Sequence, residues 1–282
     1  RYKNIFNYKL IATHLDHEWR ANSHQDALFC QKLCVDLNVE LICKKASELL
    51  NYKNIQANGS KEALGRNLRQ ALFTEVAKQY QANYIALGHH LDDQIETFFI
   101  RLIRGSTLSG LGCMQNKNNF YLRPLLDISK NEILAYLQQH NLDYVIDQTN
   151  ESDLFLRNKI RKLLPKFHEL DTRFKPNFIK TVDKIQQANN FITNLAQNTL
   201  NKITTTNQQL DLKLFNNLEH FLQKEVLLQW LYQNQVKFVQ TTSFIDEILR
   251  FLSTPKGGAH QAGLNWQISK KQNLAQIIHT KN

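Results

Sequence analysis

Short apolar runs alternate with helix-like repeats through the first half of the chain. Three runs rich in strand-forming residues cover residues 8–15, 39–43 and 84–87. Between them, apolar residues recur every three or four positions, which is the spacing of a helix that buries one side. Strands that alternate with helices are typical of a parallel sheet covered by helices. The pattern therefore predicts an α/β domain.

Several helix starts in this half carry capping signals. Ser23 and Ser129 each precede an acidic residue by three positions, and the helix after Ser129 is predicted to run to Gln139. Ser60 is placed to cap a long helix with an apolar stripe, and residues 91–104 form another helical repeat. In open parallel sheets ligands bind beyond the carboxyl ends of the strands. We therefore expect the functional residues in the loops that follow the three strands.

The pattern changes near residue 150, where long helical repeats replace the strands. The predicted helices cover residues 153–164, 174–199, 215–233 and 242–253. Hairpin-like segments at 202–212 and 259–279 lie among them. We predict two domains, residues 1–168 and 169–282, with the boundary near Pro165. The predicted fold class is α/β, a parallel sheet with flanking helices, followed by a smaller, mainly helical domain with short hairpins.

The charge of the chain is unevenly distributed. Lys and Arg total 35 against 25 Asp and Glu, for a formal net charge of +10. Residues 157–184 hold nine basic and three acidic residues, a local charge of +6. A basic cluster of this kind favours a polyanionic partner such as nucleic acid. The chain has no apolar run near the roughly 20 residues that a membrane span needs, so we expect no membrane.

Two residue types are scarce. The four cysteines are too few and too scattered for a disulfide framework, and a reducing, cytoplasmic setting is expected. Only nine glycines occur among the 282 residues, and no glycine-rich phosphate loop can be read among them.

The densest polar cluster covers residues 88–97, directly after the third predicted strand. It holds two histidines and three carboxylates within eight residues. Asp93 and Glu96 are three positions apart, so both lie on one helical face. Such a cluster can bind Mg²⁺ through Asp92 and Asp93, hold an amine or contact phosphates. Capping of the helix is the alternative, but the cluster has more polar groups than a cap needs.

Three further groups follow strands or share helical faces. Asp16 and His17 follow the first strand, where functional residues are expected. A histidine with a purely structural role is the alternative. Arg66 and Arg69 share a helical face, and an ordinary solvent-exposed helix surface is the alternative interpretation. Arg157 and Arg161 are four positions apart, and their planar guanidinium groups suit phosphates.

In this order, the segments resemble the bacterial tRNA(Ile)-lysidine synthetase family. The resemblance rests on His14-Leu15-Asp16-His17, Glu62-Ala63-x-x-Arg66-x-x-Arg69, His89-His90-x-Asp92-Asp93-Gln94-x-Glu96-Thr97, Arg101-x-x-Arg104-Gly105, Arg123-Pro124-Leu125-Leu126, Asp147-x-Thr149-Asn150 and Arg157-Asn158-x-Ile160-Arg161. It implies a PP-loop, adenine-nucleotide α-hydrolase-like fold. The Ser-Gly-Gly-x-Asp-Ser loop of that family is not among the 282 residues, and we expect it before Arg1.

The resemblance also implies a reaction in two steps. ATP, with Mg²⁺, adenylates the wobble cytidine in the CAU anticodon of tRNA(Ile), and the ε-amine of free L-lysine then displaces AMP to form lysidine. The catalytic residues it implies are Asp93, Glu96 and Arg66. The implied cofactor-binding residues are Asp16, His17, His89, His90 and Arg104, with Asp92 and Asp93 as Mg²⁺ ligands. The implied RNA-binding residues are Arg69, Arg157, Asn158, Arg161 and Lys162.

These roles lead to further expectations and leave alternatives open. We expect the Asp93 and Glu96 side chains to be exposed in a cleft, so that replacing either costs little stability. Another PP-loop tRNA enzyme, such as a thiolase, is one alternative, although no Cys-x-x-Cys is present. A metal-dependent hydrolase that uses the His-His-Asp-Asp cluster and an inactive tRNA-binding fragment are two others. A homodimer is among the assemblies that the sequence leaves open.

Overall fold

The structure is a computed structural model that describes residues 8–20, 22–49, 61–145 and 156–280. These residues form two compact units. The first takes the described parts of Arg1–Gly105 and Cys113–Phe178, and the second takes those of Ser106–Gly112 and Ile179–Asn282. None of the described helices combines the length and the apolar character that crossing a membrane requires.

The helices and strands are numbered in chain order. Up to residue 145 they are β1 (Ile11–Asp16), α1 (Ser23–Asp36), β2 (Glu40–Lys45), a 3₁₀ turn (Ala46–Glu48), α2 (Lys61–Gln79), β3 (Ile85–Ala86), α3 (Leu91–Ile103), α4 (Leu108–Leu111), β4 (Lys117–Asn118), β5 (Tyr121–Leu122) and α5 (Lys130–Gln139). After residue 155 they are α6 (Leu156–Leu170), α7 (Phe174–Ile203), β6 (Leu210–Asp211), α8 (Leu212–Asn216), α9 (His220–Gln233), α10 (Thr242–Ser253), β7 (Gly258–Gly263), β8 (Trp266–Lys271) and β9 (Leu274–His279).

The first unit contains two parallel strand pairs, as the sequence pattern predicted. β1 pairs in parallel with β2 from Ile11 opposite Glu40 to Asp16 opposite Lys45. β3 pairs in parallel with β5, and β4 adds an antiparallel strand to the other side of β5. A further bridge joins His90 to Leu125, so the chain segments after β3 and β5 stay side by side. The two pairs belong to separate sheets within the described residues.

Helix α2 covers β1 with the apolar stripe that the sequence predicted. Leu68 and Leu72 are fully buried, and Val76 is buried beside them. They pack with Leu15 of β1 and Leu49, which follows the 3₁₀ turn. Each such side chain contributes roughly 1.5–3 kcal/mol on burial. This packing fixes the loop after β1 against the face of α2.

Helices α3 and α6 pack together in the first unit. Phe99 of α3 stacks on Phe167 of α6 with ring centroids 5.1 Å apart, and Phe167 stacks in turn on Phe174. Helix α6 runs through Pro165 to Leu170, beyond the predicted end of this helix at residue 164. The predicted boundary between residues 168 and 169 therefore lies in α6, and the division into two functional domains stays a prediction.

The second unit contains the predicted hairpin-like segments and three of the four predicted helices, whereas the helix predicted at 153–164 is α6 of the first unit. The helix predicted at 215–233 is divided into α8 and α9, because residues 217–219 between them are not helical. The antiparallel sheet of the second unit has the strand order β6-β9-β8-β7. Trp230 of α9, Phe215 of α8 and Ile248 of α10 are almost completely buried in its core. The buried ammonium group of Lys270 donates to the hydroxyl of Thr254 at 2.9 Å and to the carbonyl oxygens of Thr254 and Phe251. Lys270 thus satisfies carbonyl groups at the end of α10.

Candidate active site

Four buried nitrogens without hydrogen-bond partners lie near the carboxyl ends of the strands in the first unit. Within the part of the chain that the structure describes, they are His17 Nδ1 after β1, His89 Nδ1 and His90 Nδ1 after β3, and Arg123 Nε after β5. Buried polar atoms in folded proteins nearly always have a partner. This concentration of unsatisfied groups, at the edge where open α/β sheets bind ligands, marks a candidate binding site.

Burial and the positive charges of nearby arginines lower the pKa of two histidines at this site. The charge of Arg69 on α2 acts on both His17, which follows β1, and His89, which follows β3. Burial lowers the pKa of His17, and Arg69 lowers it further. Burial also lowers the pKa of His89, and Arg123 and Arg69 lower it further against the opposing effect of Asp93. Both imidazoles are therefore neutral hydrogen-bonding groups at neutral pH.

Asp93 occupies the first turn of α3. Its Oδ2 accepts a hydrogen bond from the His90 backbone N–H at 3.0 Å and lies 3.5 Å from His90 Nε2. A carboxylate in this position is stabilised by the partial positive charge of the helix N-terminus. The Asp93 side chain is 22% exposed, and its Oδ1 has no hydrogen-bond or ion-pair partner among the described residues. Asp93 is thus fixed in place with one oxygen available to a ligand.

Glu96 is one turn further along α3, and the expectation that it is exposed in a cleft is wrong. Its side chain is only 1% exposed. Arg161 of α6 donates to both carboxylate oxygens, at 2.7 Å from Nε and 3.2 Å from a terminal nitrogen, and Arg157 Nε lies 3.2 Å away. Two guanidinium groups offset the cost of burying this carboxylate. Glu96 therefore joins α3 to α6, and it orients both arginines.

Both carboxylate oxygens of Asp92 have partners within the first unit. One oxygen accepts from the Lys130 backbone N–H at 2.7 Å, and the other lies 2.8 Å from the ammonium group of Lys175. Burial alone would raise the pKa of Asp92, but these partners outweigh it and lower the pKa. Asp92 is thus held in place by groups from two other parts of the first unit, and its role as a Mg²⁺ ligand with Asp93 stays a prediction.

No other metal centre is evident in the described ranges, where no three His, Cys, Asp or Glu side chains are grouped to hold an ion. Cys30, Cys34, Cys43 and Cys113 are all free thiols. Burial raises the pKa of Cys113 to about 11, so its thiol is unreactive at neutral pH.

The predicted cofactor-binding residues Asp16 and Arg104 and the predicted catalytic residue Arg66 lie at three different places in the first unit. Asp16 is buried at the end of β1, and it accepts from the Glu18 backbone N–H at 2.8 Å and from the Ser23 hydroxyl. Arg66 is exposed on α2. Arg104 is exposed just beyond the last residue of α3, about 17 Å from Asp93 along the helix axis at about 1.5 Å per residue. The structure therefore does not bring Arg104 to the ends of the strands.

Helix α6 presents two different surfaces. Arg157, Arg161 and the buried Asn158 lie on the side that packs towards α3. The exposed side carries Lys159, Lys162 and Lys166, in agreement with a basic outer face. The predicted motif residues Asp147, Thr149 and Asn150 lie outside the described residues.

Two residues at the site had no role in the sequence analysis. Arg123 lies in the quoted Arg-Pro-Leu-Leu motif, but its place beside His89 depends on β5, a strand of only two residues with no detectable pattern. Trp19 stacks on His17 with ring centroids 4.5 Å apart and an interplanar angle of 26°. The sequence signal that could have indicated Trp19 was its position two residues after the candidate histidine His17.

Comparisons with known proteins identify the family of the chain. The chain is 30% identical over 270 residues to the tRNA(Ile)-lysidine synthase of Bacillus subtilis strain 168, covering 91% of this chain and 56% of that protein. It is 31% identical over 257 residues to the same enzyme of Bacillus cereus strain ATCC 10987, covering 86% and 54%. The chain thus spans about half the length of these relatives.

A relative from Francisella philomiragia, also named tRNA(Ile)-lysidine synthase, is 28% identical over 281 residues, covering 96% of this chain and 67% of that protein. Among solved structures, the U34-tRNA thiolase NcsA from Methanococcus maripaludis with its [4Fe-4S] cluster superposes with a TM-score of 0.56 at 19% identity, covering 66% of this chain and 64% of that one. This likeness supports the α/β fold. The family described as the PP-loop domain matches residues 1–167, more than half of the sequence, so the chain belongs to the PP-loop family.

Proposed function

We propose that this chain carries the catalytic part of a tRNA(Ile)-lysidine synthetase. In the proposed reaction, the C2 carbonyl oxygen of the wobble cytidine attacks the α-phosphorus of ATP, and pyrophosphate leaves. The ε-amine of free L-lysine then forms a bond to C2, AMP leaves with the oxygen, and the amine loses a proton. The names of the bacterial relatives and the PP-loop match support this function.

The observation that carries the proposal is the set of unsatisfied nitrogens at the strand ends. The neutral imidazole groups of His17 and His89, together with the unpartnered ring nitrogen of His90, suit the uncharged hydrogen-bonding groups of a nucleoside. The charges of Arg69 and Arg123 suit phosphate oxygens and the negative charge that develops as pyrophosphate leaves. A nucleotide is one ligand that needs both kinds of group.

Asp93 is the carboxylate that we assign to the lysine substrate. Its second oxygen can hold the ε-ammonium group and accept a proton as the amine attacks. The buried Glu96 acts through Arg157 and Arg161, whose side chains remain 28% and 32% exposed. Arg66, on the same helix as Arg69, is assigned to the phosphates. Mg²⁺ would neutralise phosphate charge when bound, with Asp92 and Asp93 as the carboxylates that would hold it.

The proposed RNA surface begins on α6. Its exposed lysines lie within the segment of local charge +6. Lysines along an exposed helix bind a phosphate backbone mainly through charge, so their contribution falls as salt rises. We assign tRNA(Ile) with the CAU anticodon as the polyanionic partner, with the base-specific steps left to the strand-end site.

The test is incorporation of labelled lysine. The 282-residue chain is incubated with ATP, ¹⁴C-lysine and an unmodified tRNA(Ile) transcript, and label in the RNA is counted. A transcript with uridine in place of the wobble cytidine should take up no label. Asp93→Asn should abolish incorporation, whereas the control Asp127→Asn, which removes an exposed carboxylate bonded to Asn116, should not. Intact tRNA binding without lysine incorporation would overturn the proposal and favour an RNA-binding fragment.

A further inference from the structure

Gly65 provides the space in which His17 and Trp19 pack. It is buried within α2, where glycine destabilises a helix relative to alanine. A Cβ atom at Gly65 would lie 2.6 Å from Cη2 of Trp19 and 3.3 Å from Cε1 of His17. The first distance is far inside van der Waals contact, so a methyl group at this position would displace the half-buried indole. Gly65 therefore forms a notch that admits the stacked pair.

The stacked pair leaves a polar atom of His17 available. Its Nδ1 is buried and has no hydrogen-bond partner among the described residues. The groups that act on the imidazole are Arg69 from α2 and Asp16 and His14 from β1. Burial and Arg69 lower the pKa of His17 and outweigh Asp16, so the ring is neutral at neutral pH. A neutral, fixed nitrogen suits an uncharged part of a ligand.

We propose that Trp19 is a positioning residue: seated in the notch at Gly65, it holds the His17 ring so that Nδ1 hydrogen-bonds to the purine nucleoside part of ATP. This inference rests on the proposed function for the choice of ligand. The nucleoside is chosen over the phosphates because the arginines near the site supply the charge that phosphates need. The indole itself acts only through His17.

The test combines substitutions at the notch with ATP binding. Binding of radiolabelled ATP to the 282-residue chain is measured by equilibrium dialysis between pH 5.5 and 8.5. Gly65→Ala and Trp19→Leu should each weaken binding at pH 8 about tenfold, the usual effect of losing one hydrogen bond. Gly65→Ala should have no further effect in the Trp19→Leu background, because the smaller side chain leaves room for the methyl group. Trp19→Phe should retain most of the affinity.

The pH dependence provides a readout that general loss of packing does not. Wild-type binding should weaken only at acid pH, as His17 becomes protonated below its lowered pKa. In Gly65→Ala the displaced indole exposes the imidazole, so its pKa rises and the loss of binding should begin at higher pH. The His17 pKa is measured directly by NMR titration of its Cε1–H resonance, assigned with His17→Gln. In the His17→Gln background, Trp19→Leu should no longer affect ATP affinity.

The outcomes separate this inference from the proposed function. If the wild-type chain does not bind ATP, the proposed function fails, and the ligand assignment fails with it. If ATP binds equally well to wild type, Gly65→Ala and Trp19→Leu, only the inference is overturned. If Gly65→Ala reduces ATP affinity equally in the wild-type and Trp19→Leu backgrounds, the inference is also overturned, because the effect then does not depend on the indole. Circular dichroism of each variant identifies any that fail to fold, and the paired Gly65→Ala/Trp19→Leu variant relieves the steric clash.

Discussion

Removing the charge of Glu96 should destabilise the first unit, whereas removing the charge of Asp93 should not. Both carboxylates lie on α3, three positions apart, and the sequence predicts the same exposure for both. Glu96→Gln leaves two guanidinium groups packed against a neutral amide, one of whose ends is itself a hydrogen-bond donor. Asp93→Asn keeps an oxygen that can still accept the hydrogen bond from the His90 N–H. The two substitutions are therefore a matched pair with opposite expectations.

The magnitude follows from the burial of the partners. Breaking a fully buried ion pair by removing one partner costs about 3–5 kcal/mol, because the other charge is left uncompensated. The Arg157 and Arg161 side chains are 28% and 32% exposed, so water solvates part of the uncompensated charge. We expect about 2–3 kcal/mol for Glu96→Gln and about 0.5 kcal/mol or less for Asp93→Asn. The former is a large share of a typical domain stability of about 5–15 kcal/mol.

Hydrogen exchange measured by mass spectrometry reports on α3 and α6 without mixing the signals of the two units. A difference of about 2 kcal/mol corresponds to about 30-fold faster exchange of the protected amides in these helices. Peptides from α9 and α10 in the second unit serve as the internal control and should be unchanged. If Glu96→Gln and Asp93→Asn show the same exchange in α3 and α6, the ion pairs with α6 do not stabilise the fold and the argument is refuted.

Other contacts lead to smaller effects. The pKa of Asp92 is lower in the folded state than its ordinary value of 3.8. Its contribution to stability is therefore complete above pH 3.8 and is lost as the pH falls through the folded pKa, which acid unfolding of the first unit should show. Lys175→Met should make this acid-dependent loss of stability smaller. Ser129→Ala should cost about 1 kcal/mol in thermal unfolding, because it removes one side of the capping box of α5. Lys159→Glu and Lys166→Glu should weaken tRNA binding and reduce its salt slope in filter-binding assays at 50–200 mM salt, by roughly one unit per lysine removed from the interface; an unchanged slope would place α6 outside it.

Local sequence signals predicted the elements that depend on local interactions. The stripe of α2 is buried as its spacing indicated, and the box at Ser129 forms with the Glu132 side chain accepting from the Ser129 N–H at 2.8 Å. The cap expected at Ser23 does not form, because α1 begins at Ser23 and the Ser23 hydroxyl bonds to Asp16 instead. Spacing alone does not show that a more distant acceptor competes for the same hydroxyl.

The burial of the site carboxylates was not predictable, because their partners are distant in sequence. Glu96 meets Arg161 across 65 positions, and Asp92 meets Lys175 across 83. A spacing of three places two carboxylates on one helical face, but it does not identify what covers that face. The same limit applies to Arg104, which follows the cluster closely in sequence and lies at the other end of α3. Residues adjacent in a motif are separated by the helix between them.

The pairing of these carboxylates bears directly on the proposed reaction. Helix α3 begins with three carboxylates, and cations from α6 and α7 neutralise Glu96 and Asp92. Asp93 alone keeps an oxygen for a substrate, in a region where Arg123, Arg69 and Arg157 act on the neighbouring His89. In the proposed reaction, an amine bound there would be held by the Asp93 carboxylate, which can accept its proton as the amine attacks. The nearby guanidinium groups would then bind phosphate oxygens rather than the amine.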